Sequence, residues 1–221
     1  MPSKNDLPDG DDVGRLEDLV AAARRAGVDD PRVLDAMRPV PRAAFVPLDQ
    51  VGLAYLDVPV PIPHSQVTTQ PSLSARMIQA LWLTGGEHIL EVGTGYGYQT
   101  ALLARLASLV TSIERWADLA DQARRNLAAQ GIDNVHVVDG DGTEGVPAAA
   151  PYDAILVSAA FPQVPEALVG QLRVGGRLVQ PIGPGGAELV TVFERSAGGL
   201  VSREVVCHAN FVRLYGRHGY V

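Results

Sequence analysis

Three carboxylates and a glycine-rich turn carry most of the chemistry legible in this chain. Glu91 lies two residues before a turn with Gly93, Gly95 and Gly97, in Glu91-Val-Gly-Thr-Gly-Tyr-Gly-Tyr98. Backbone N–H groups in such a turn, at the positive end of a helix, can receive a ligand that comes close to the main chain. A Cβ there would block the approach or forbid the backbone angles. Glu114 follows about twenty residues after Gly93, where a carboxylate can accept both hydroxyls of a ribose. Asp141, in Asp139-Gly-Asp-Gly142, is placed to accept from an adenine amino group, although the same tetrapeptide suits a simple turn. With Thr94 and Gly142, these residues make a candidate site for a nucleoside-type cofactor. A dinucleotide fingerprint would put a third small residue at position 98, where this chain has Tyr98, so NAD is the weaker reading.

The remaining reactive residues argue against competing chemistries. Lys4 is the only lysine, which nearly excludes Schiff-base catalysis. Cys207 is the only cysteine; it can form neither an intramolecular disulfide nor a thiolate zinc cluster, and is expected to be buried and inert. His88, His136, His208 and His218 lack ligand spacing, so no metal is expected. Trp82 and Trp116 read as packing or helix-start residues. A net charge of −7 without a basic stripe argues against nucleic acid. No apolar run approaches the ~20 residues that span a bilayer. The acidic start, Met1 to Asp12, has no signal-peptide core. The expectation is a cytoplasmic monomer with no membrane contact.

Residues 1–12 read as a disordered lead-in and 13–221 as one domain, with 13–85 a cap and substrate loop and 86–221 the cofactor-binding core and last strands. Apolar spacing predicts helices over 13–26 and 31–37, the second capped by Asp29 or Asp30. Prolines in Val40–Pro47 and Val58–Pro63 preclude regular helix. A polar loop over 64–72 leads to a helix over 71–83. Strands over 88–92, 109–113, 135–138, 154–158 and 177–181 then alternate with helices over 97–107, 116–130 and 165–172. Strand-like runs at 188–193 and 204–214 finish the chain. This pattern predicts an α/β, Rossmann-like doubly wound fold. Its mainly parallel sheet of about seven strands has helices on both faces and an N-terminal helical and extended cap. Ligands then sit at the carboxyl ends of the strands, where the strand order reverses.

An acid two residues before Gly-x-Gly-x-Gly is the form seen in methyltransferases that use S-adenosylmethionine (AdoMet). From about residue 14 to 195 the chain resembles one family of these, the protein-L-isoaspartate O-methyltransferases. The resemblance rests on Asp30-Pro-Arg-Val-Leu-Asp-Ala-Met37, Val40-Pro-Arg-Ala-Ala-Phe-Val-Pro47 and Ala54-Tyr-Leu-Asp57. It continues in Pro61-Ile-Pro-His-Ser-Gln-Val-Thr-Thr-Gln-Pro71, in the glycine turn through Ala101, and in Leu172-Arg-Val-Gly-Gly-Arg-Leu-Val-Gln-Pro-Ile-Gly183. The stretch Gln66–Pro71 discriminates, because other methyltransferases share the turn without it.

The resemblance implies AdoMet as cofactor, with S-adenosyl-L-homocysteine as product, and isoaspartyl proteins or peptides as substrate. The family methylates the free α-carboxylate of an isoaspartyl residue; the ester closes to a succinimide and reopens partly to aspartate. A carboxylate with a pKa near 4 needs no general base, so alignment and exclusion of water are what the protein must provide. The family's functional serine falls on Thr69, whose hydroxyl can make the same hydrogen bond. Thr68 is placed with the cofactor residues, unless both threonines merely cap the helix at Pro71. His64, Val67, Phe211 and Arg213 are placed near the acceptor. Val67 replaces a threonine of the family pattern. Asn210 and Arg213 replace an arginine and a proline in Ala209-Asn-Phe-Val-Arg-Leu214. Those departures leave open a dedicated methyltransferase for one natural-product peptide, although such relatives usually carry an added C-terminal region. An inactive AdoMet-binding module is the other alternative.

Overall fold

The computed structural model describes residues 10–221. The expected lead-in therefore falls mostly outside the described residues, while positions 10–12 already belong to helix α1 (Gly10–Arg25). Leu16, Leu19, Val20 and Ala23 bury one stripe of α1 against α2 (Pro31–Met37) and α3 (Pro71–Gln79). Asp30 starts α2 by accepting the Arg32 N–H at 2.9 Å, with Pro31 in the first turn.

The segment after α2 is more ordered than a polar loop. Val60–Ile62 (β1) and Gln66–Thr68 (β2) pair as an antiparallel hairpin. Pro61 is tolerated because a two-stranded ribbon leaves one edge of each strand unpaired. His64 and Ser65 turn the hairpin with φ of 61° and 56°, a left-handed conformation that side chains other than glycine rarely adopt. Asp57 starts the following helix: Oδ1 accepts the Ser72 N–H at 2.9 Å and Oδ2 the Gln70 amide at 2.8 Å. The helix cap is therefore Asp57, from a different motif, and neither Thr68 nor Thr69.

The core is a seven-stranded sheet flanked by helices. Its strands are β3 (His88–Val92), β4 (Leu109–Glu114), β5 (Val135–Asp139), β6 (Tyr152–Val157), β7 (Leu172–Ile182), β8 (Glu188–Ser196) and β9 (Gly199–Ala209). Helices α4 (Tyr98–Ala104), α5 (Ala117–Ala129) and α6 (Glu166–Gln171) alternate with them. The order is β5-β4-β3-β6-β7-β8-β9. Strands β5 through β7 in that order run parallel, while β7–β8 and β8–β9 pair antiparallel. From β3 the chain builds outward to β5, then returns to the other side for β6, so the order reverses between β3 and β6. The C-terminal ends of those two strands flank the crevice where ligands bind in such sheets.

The last strand differs from the expected 204–214. It ends at Ala209, because the buried Glu188 carboxylate accepts the Phe211 N–H at 2.9 Å and draws the chain off the sheet edge. Residues 212–214 then cross to the end of β6. There Ala160 N–H bonds Val212 O and Leu214 N–H bonds Ala160 O, both at 2.8 Å. This crossing brings the C-terminal segment to the crevice. Because the Asp57 carboxylate accepts the Ser72 N–H in the first turn of α3, Asp57→Ala is expected to lower stability by about 1–2 kcal/mol in urea unfolding.

Candidate active site

The glycine turn joins β3 to α4. Gly93, Gly95 and Gly97 all have positive φ, and Gly97, at φ 93°, is the residue that starts α4. At Gly97 an added Cβ would make only ordinary contact with Leu127 and Ala123 of α5 at 3.4–3.5 Å, so it is the backbone conformation that calls for glycine. Beneath the turn, Glu91 is completely buried. Its carboxylate accepts from Gln99 Nε2 at 3.0 Å, from Ser112 Oγ at 2.6 Å and from Thr100 Oγ1. Thr94 Oγ1 sits 2.6 Å from Ser112 Oγ and extends the network. Burial pushes the Glu91 carboxyl up to about 7, against the three hydrogen bonds, which pull it down.

The structure corrects the expectation that Glu91 meets the cofactor. Its carboxylate is spent inside the protein, and it is absent from the walls of the crevice. Gly93, Thr94, Gly95 and Gly97 do line that cavity, which has a volume of about 580 Å³. Glu114 also lines it, almost fully buried. Its Oε2 accepts the Gly95 N–H at 2.8 Å and Oε1 the Trp116 N–H at 3.1 Å, which holds the carboxylate against the turn. Each oxygen keeps a second lone pair for a ligand hydroxyl.

Asp141, expected with the cofactor residues, holds the C-terminal segment. Oδ1 accepts from Thr143 N–H at 2.8 Å and from Thr143 Oγ1, while Oδ2 accepts the Arg217 N–H at 2.6 Å. Burial would raise this carboxyl, and the hydrogen bonds hold it below the ordinary value. A Cβ on Gly216 would lie 2.0 Å from Asp141 Oδ1, so the C-terminal segment sits directly on the carboxylate. Asp141 therefore anchors that segment and leaves the cavity wall to Gly142, Tyr215 and Val221. Arg115 spans the gap, with its guanidinium carbon 5.6 Å from the Trp116 ring and 5.3 Å from the Tyr215 ring. Arg217 pairs with Glu144 at 3.1 Å and is mostly exposed.

The hairpin closes the other side. His64 stacks on Trp116 with ring centroids 4.0 Å apart, and its Nε2 lies 2.9 Å from both Asp118 oxygens. That bond holds the Asp118 carboxyl below its usual value. Trp116 thus forms cavity wall and hairpin contact as well as the start of α5. His64 and Arg213, both expected near the acceptor, line this first cavity instead.

A second cleft of about 430 Å³ adjoins the first, lined by Phe211, Asn210, Arg76 and the half-buried Cys207 among others. Burial raises the Cys207 thiol, but the residue faces a cleft rather than a closed core. Thr69, Val67, Ser158 and Val212 line both spaces. Thr68 lines the first, yet its hydroxyl oxygen accepts from Arg42 at 3.0 Å and from Val60 N–H at 3.3 Å, so it does not offer that oxygen to a cofactor. Arg42 itself is wholly buried. It donates to the carbonyls of Leu56 at 2.9 Å and Val58 at 2.8 Å, and so fixes the loop that carries Thr69. Its pKa falls to about 10 through burial.

The family described as protein-L-isoaspartate(D-aspartate) O-methyltransferase matches residues 14–219. The chain belongs to this family. A protein-L-isoaspartate O-methyltransferase of Methanoregula boonei is 46% identical over 213 residues, covering 96% of this chain and 97% of its own. A solved structure of that name superposes with TM-score 0.81 at 31% identity, over 92% of this chain and 67% of its own. A Plasmodium falciparum protein, described as a β-aspartate methyltransferase in complex with S-adenosyl-L-homocysteine, superposes with TM-score 0.75 at 26% identity, over 91% and 98%. As a member of this family the chain is an AdoMet-dependent methyltransferase of isoaspartyl residues. Among the described residues no helix is long and apolar enough to cross a membrane.

The first cavity fits AdoMet on the structure's own terms. Ser74 Oγ and Gln99 Oε1 are buried polar atoms without a partner among the described residues, and both residues line it. Neither was singled out from the sequence, where each reads as an ordinary helix residue. The Glu91 network makes a testable demand on pH. A buried carboxyl raised from 4.5 to about 7 favours folding below its unfolded pKa, and that contribution is lost as pH rises through the folded one. The stability of Glu91→Gln relative to wild type is therefore expected to rise by up to about 3 kcal/mol between about pH 5 and pH 8. Urea unfolding at both pH values reads this directly.

Proposed function

We propose that the first cavity holds AdoMet, that the second cleft holds the isoaspartyl segment, and that the methyl group passes between them beside Thr69 and Ser158. The observation that carries this reading is the shared wall: Thr69, Val67, Ser158 and Val212 belong to both spaces. AdoMet supplies an electrophilic methyl on a positive sulfur. A carboxylate oxygen forms the new C–O bond, the S–C bond breaks, and its electron pair stays on sulfur. Nothing has to remove a proton, because the acceptor is already an anion at neutral pH.

The chain's own residues align the two partners. Glu114 takes the ribose hydroxyls, and Gly142, Trp116 and Tyr215 enclose the base. Thr69 donates its hydroxyl to the acceptor carboxylate, and Arg42 keeps that loop in place. The second cleft carries Arg76 and His208 and no acidic residue, although the whole chain has a net charge of −7; this suits an anionic acceptor. Phe211 and Val67 give it apolar walls.

In this reading residues 13–221 act as one domain, with 13–85 capping 86–221. The chain is read as acting as a monomer. A single cysteine accords with the cytoplasm, and the negative charge with peptide rather than nucleic-acid partners. Thr69→Ala is expected to lower methyl transfer to an isoaspartyl peptide at least about tenfold, while S-adenosyl-L-homocysteine affinity changes less than about twofold. Steady-state kinetics with calorimetric binding test the assignment; an unchanged rate excludes it.

A further inference from the structure

We propose that Ser158 is a second catalytic hydroxyl, which with Thr69 holds one oxygen of the isoaspartyl α-carboxylate while the other oxygen attacks the methyl group. The inference rests on the reading that the acceptor enters the second cleft. Ser158 follows the last residue of β6, and its N–H donates to Val92 O at the end of β3 at 2.9 Å. It therefore stands on the two strands between which the sheet order reverses. It is half-buried and lines both spaces. An added Cβ on Gly93 would lie 3.4 Å from the Ser158 Cβ, so the glycine turn runs beside it. Thr69 lines the same two spaces from the cap, on the loop whose carbonyls Arg42 holds.

The neighbours of Ser158 decide what its hydroxyl can do. Gln99 Nε2 donates to Ser158 Oγ at 2.8 Å and to Glu91 Oε1 at 3.0 Å. Reversing the amide would set its oxygen against the Glu91 carboxylate, which only accepts when ionised. The amide N–H thus fills an acceptor position on Ser158 Oγ, and the hydroxyl proton meets no acceptor among the described residues. Thr69 Oγ1 likewise makes no hydrogen bond among the described residues. Two O–H donors on separate elements therefore border one gap, and a carboxylate is an acceptor with no proton of its own. Neutral hydroxyls suit this reaction better than a cation. The acceptor's negative charge is lost as the ester forms, so a strong ion pair would stabilise the starting carboxylate more than the transition state. Arg76, which lines the second cleft, donates instead to the Val206 carbonyl. During transfer the unheld oxygen forms the C–O bond and the S–C pair stays on sulfur. The protons of Ser158 and Thr69 remain on their own hydroxyls.

Steady-state kinetics of the full chain with an isoaspartyl peptide, beside calorimetric titration of S-adenosyl-L-homocysteine, test the role of Ser158. Ser158→Ala should lower kcat about tenfold and leave the Kd of S-adenosyl-L-homocysteine within about twofold of wild type, which also shows that the variant folds. Ser158→Thr, which restores a hydroxyl, should recover most of the lost rate. Combining Ser158→Ala with Thr69→Ala should cost far less than the product of the two single losses, because both hydroxyls serve one carboxylate. Losses that simply multiply would overturn the proposal. So would a fall in S-adenosyl-L-homocysteine affinity as large as the fall in rate. An unchanged kcat in Ser158→Ala, with Thr69→Ala impaired, would overturn it while leaving the acceptor in the second cleft. Wild-type kcat in both single variants would overturn that placing of the acceptor, and this proposal with it.

Discussion

A carboxylate sealed from water holds the catalytic half of this protein together. Glu91 sits at the end of β3 and is bonded to Gln99 and Thr100 of α4 and to Ser112 of β4. Three elements meet on one side chain directly below the glycine turn. Burying that group is unfavourable when it is ionised, and the three hydrogen bonds offset only part of the cost. The network persists because it fixes the turn, and the turn fixes Glu114 through the Gly95 N–H. The carboxylate that faces the cavity therefore depends on the one that does not.

A second buried charge organises the cap. Arg42 stitches the carbonyls of Leu56 and Val58 to the Thr68 hydroxyl, and Asp57, between those carbonyls in sequence, starts α3. The two motifs Val40–Pro47 and Ala54–Asp57 thus have a shared physical purpose. They hold a short irregular stretch rigid, so that Thr69 stands where the two cavities meet. His64 and Trp116 lock the hairpin onto the core from the other side. Rigid support of this kind is what a displacement reaction needs when no proton transfer is involved.

Much of this was legible in the sequence. Strand–helix alternation revealed the parallel sheet, and the acid–glycine turn with Glu114 placed the crevice. The missteps share one cause. A strand-end acid looks alike whether it faces a ligand or the interior, so Glu91 was read with the ligand contacts. Whether an oxygen is free depends on partners distant in the chain: Ser112 for Glu91, and Arg217 for Asp141. The same limit hid Ser74 and Gln99, whose significance lies in what they lack. The end of β9 was missed because Phe211, Val212 and Leu214 keep apolar side chains suited to a strand, while a buried Glu188 pulls the backbone elsewhere.

The central claim is that the two adjoining spaces bring a methyl donor to the free carboxylate of an isoaspartyl residue. It is tested most directly by incubating the protein and labelled AdoMet with an isoaspartyl peptide, or with its normal aspartyl twin. The account predicts label on the isoaspartyl peptide alone, lost on mild base treatment as a methyl ester is. Equal labelling of both peptides, or no transfer while AdoMet remains bound, would contradict it.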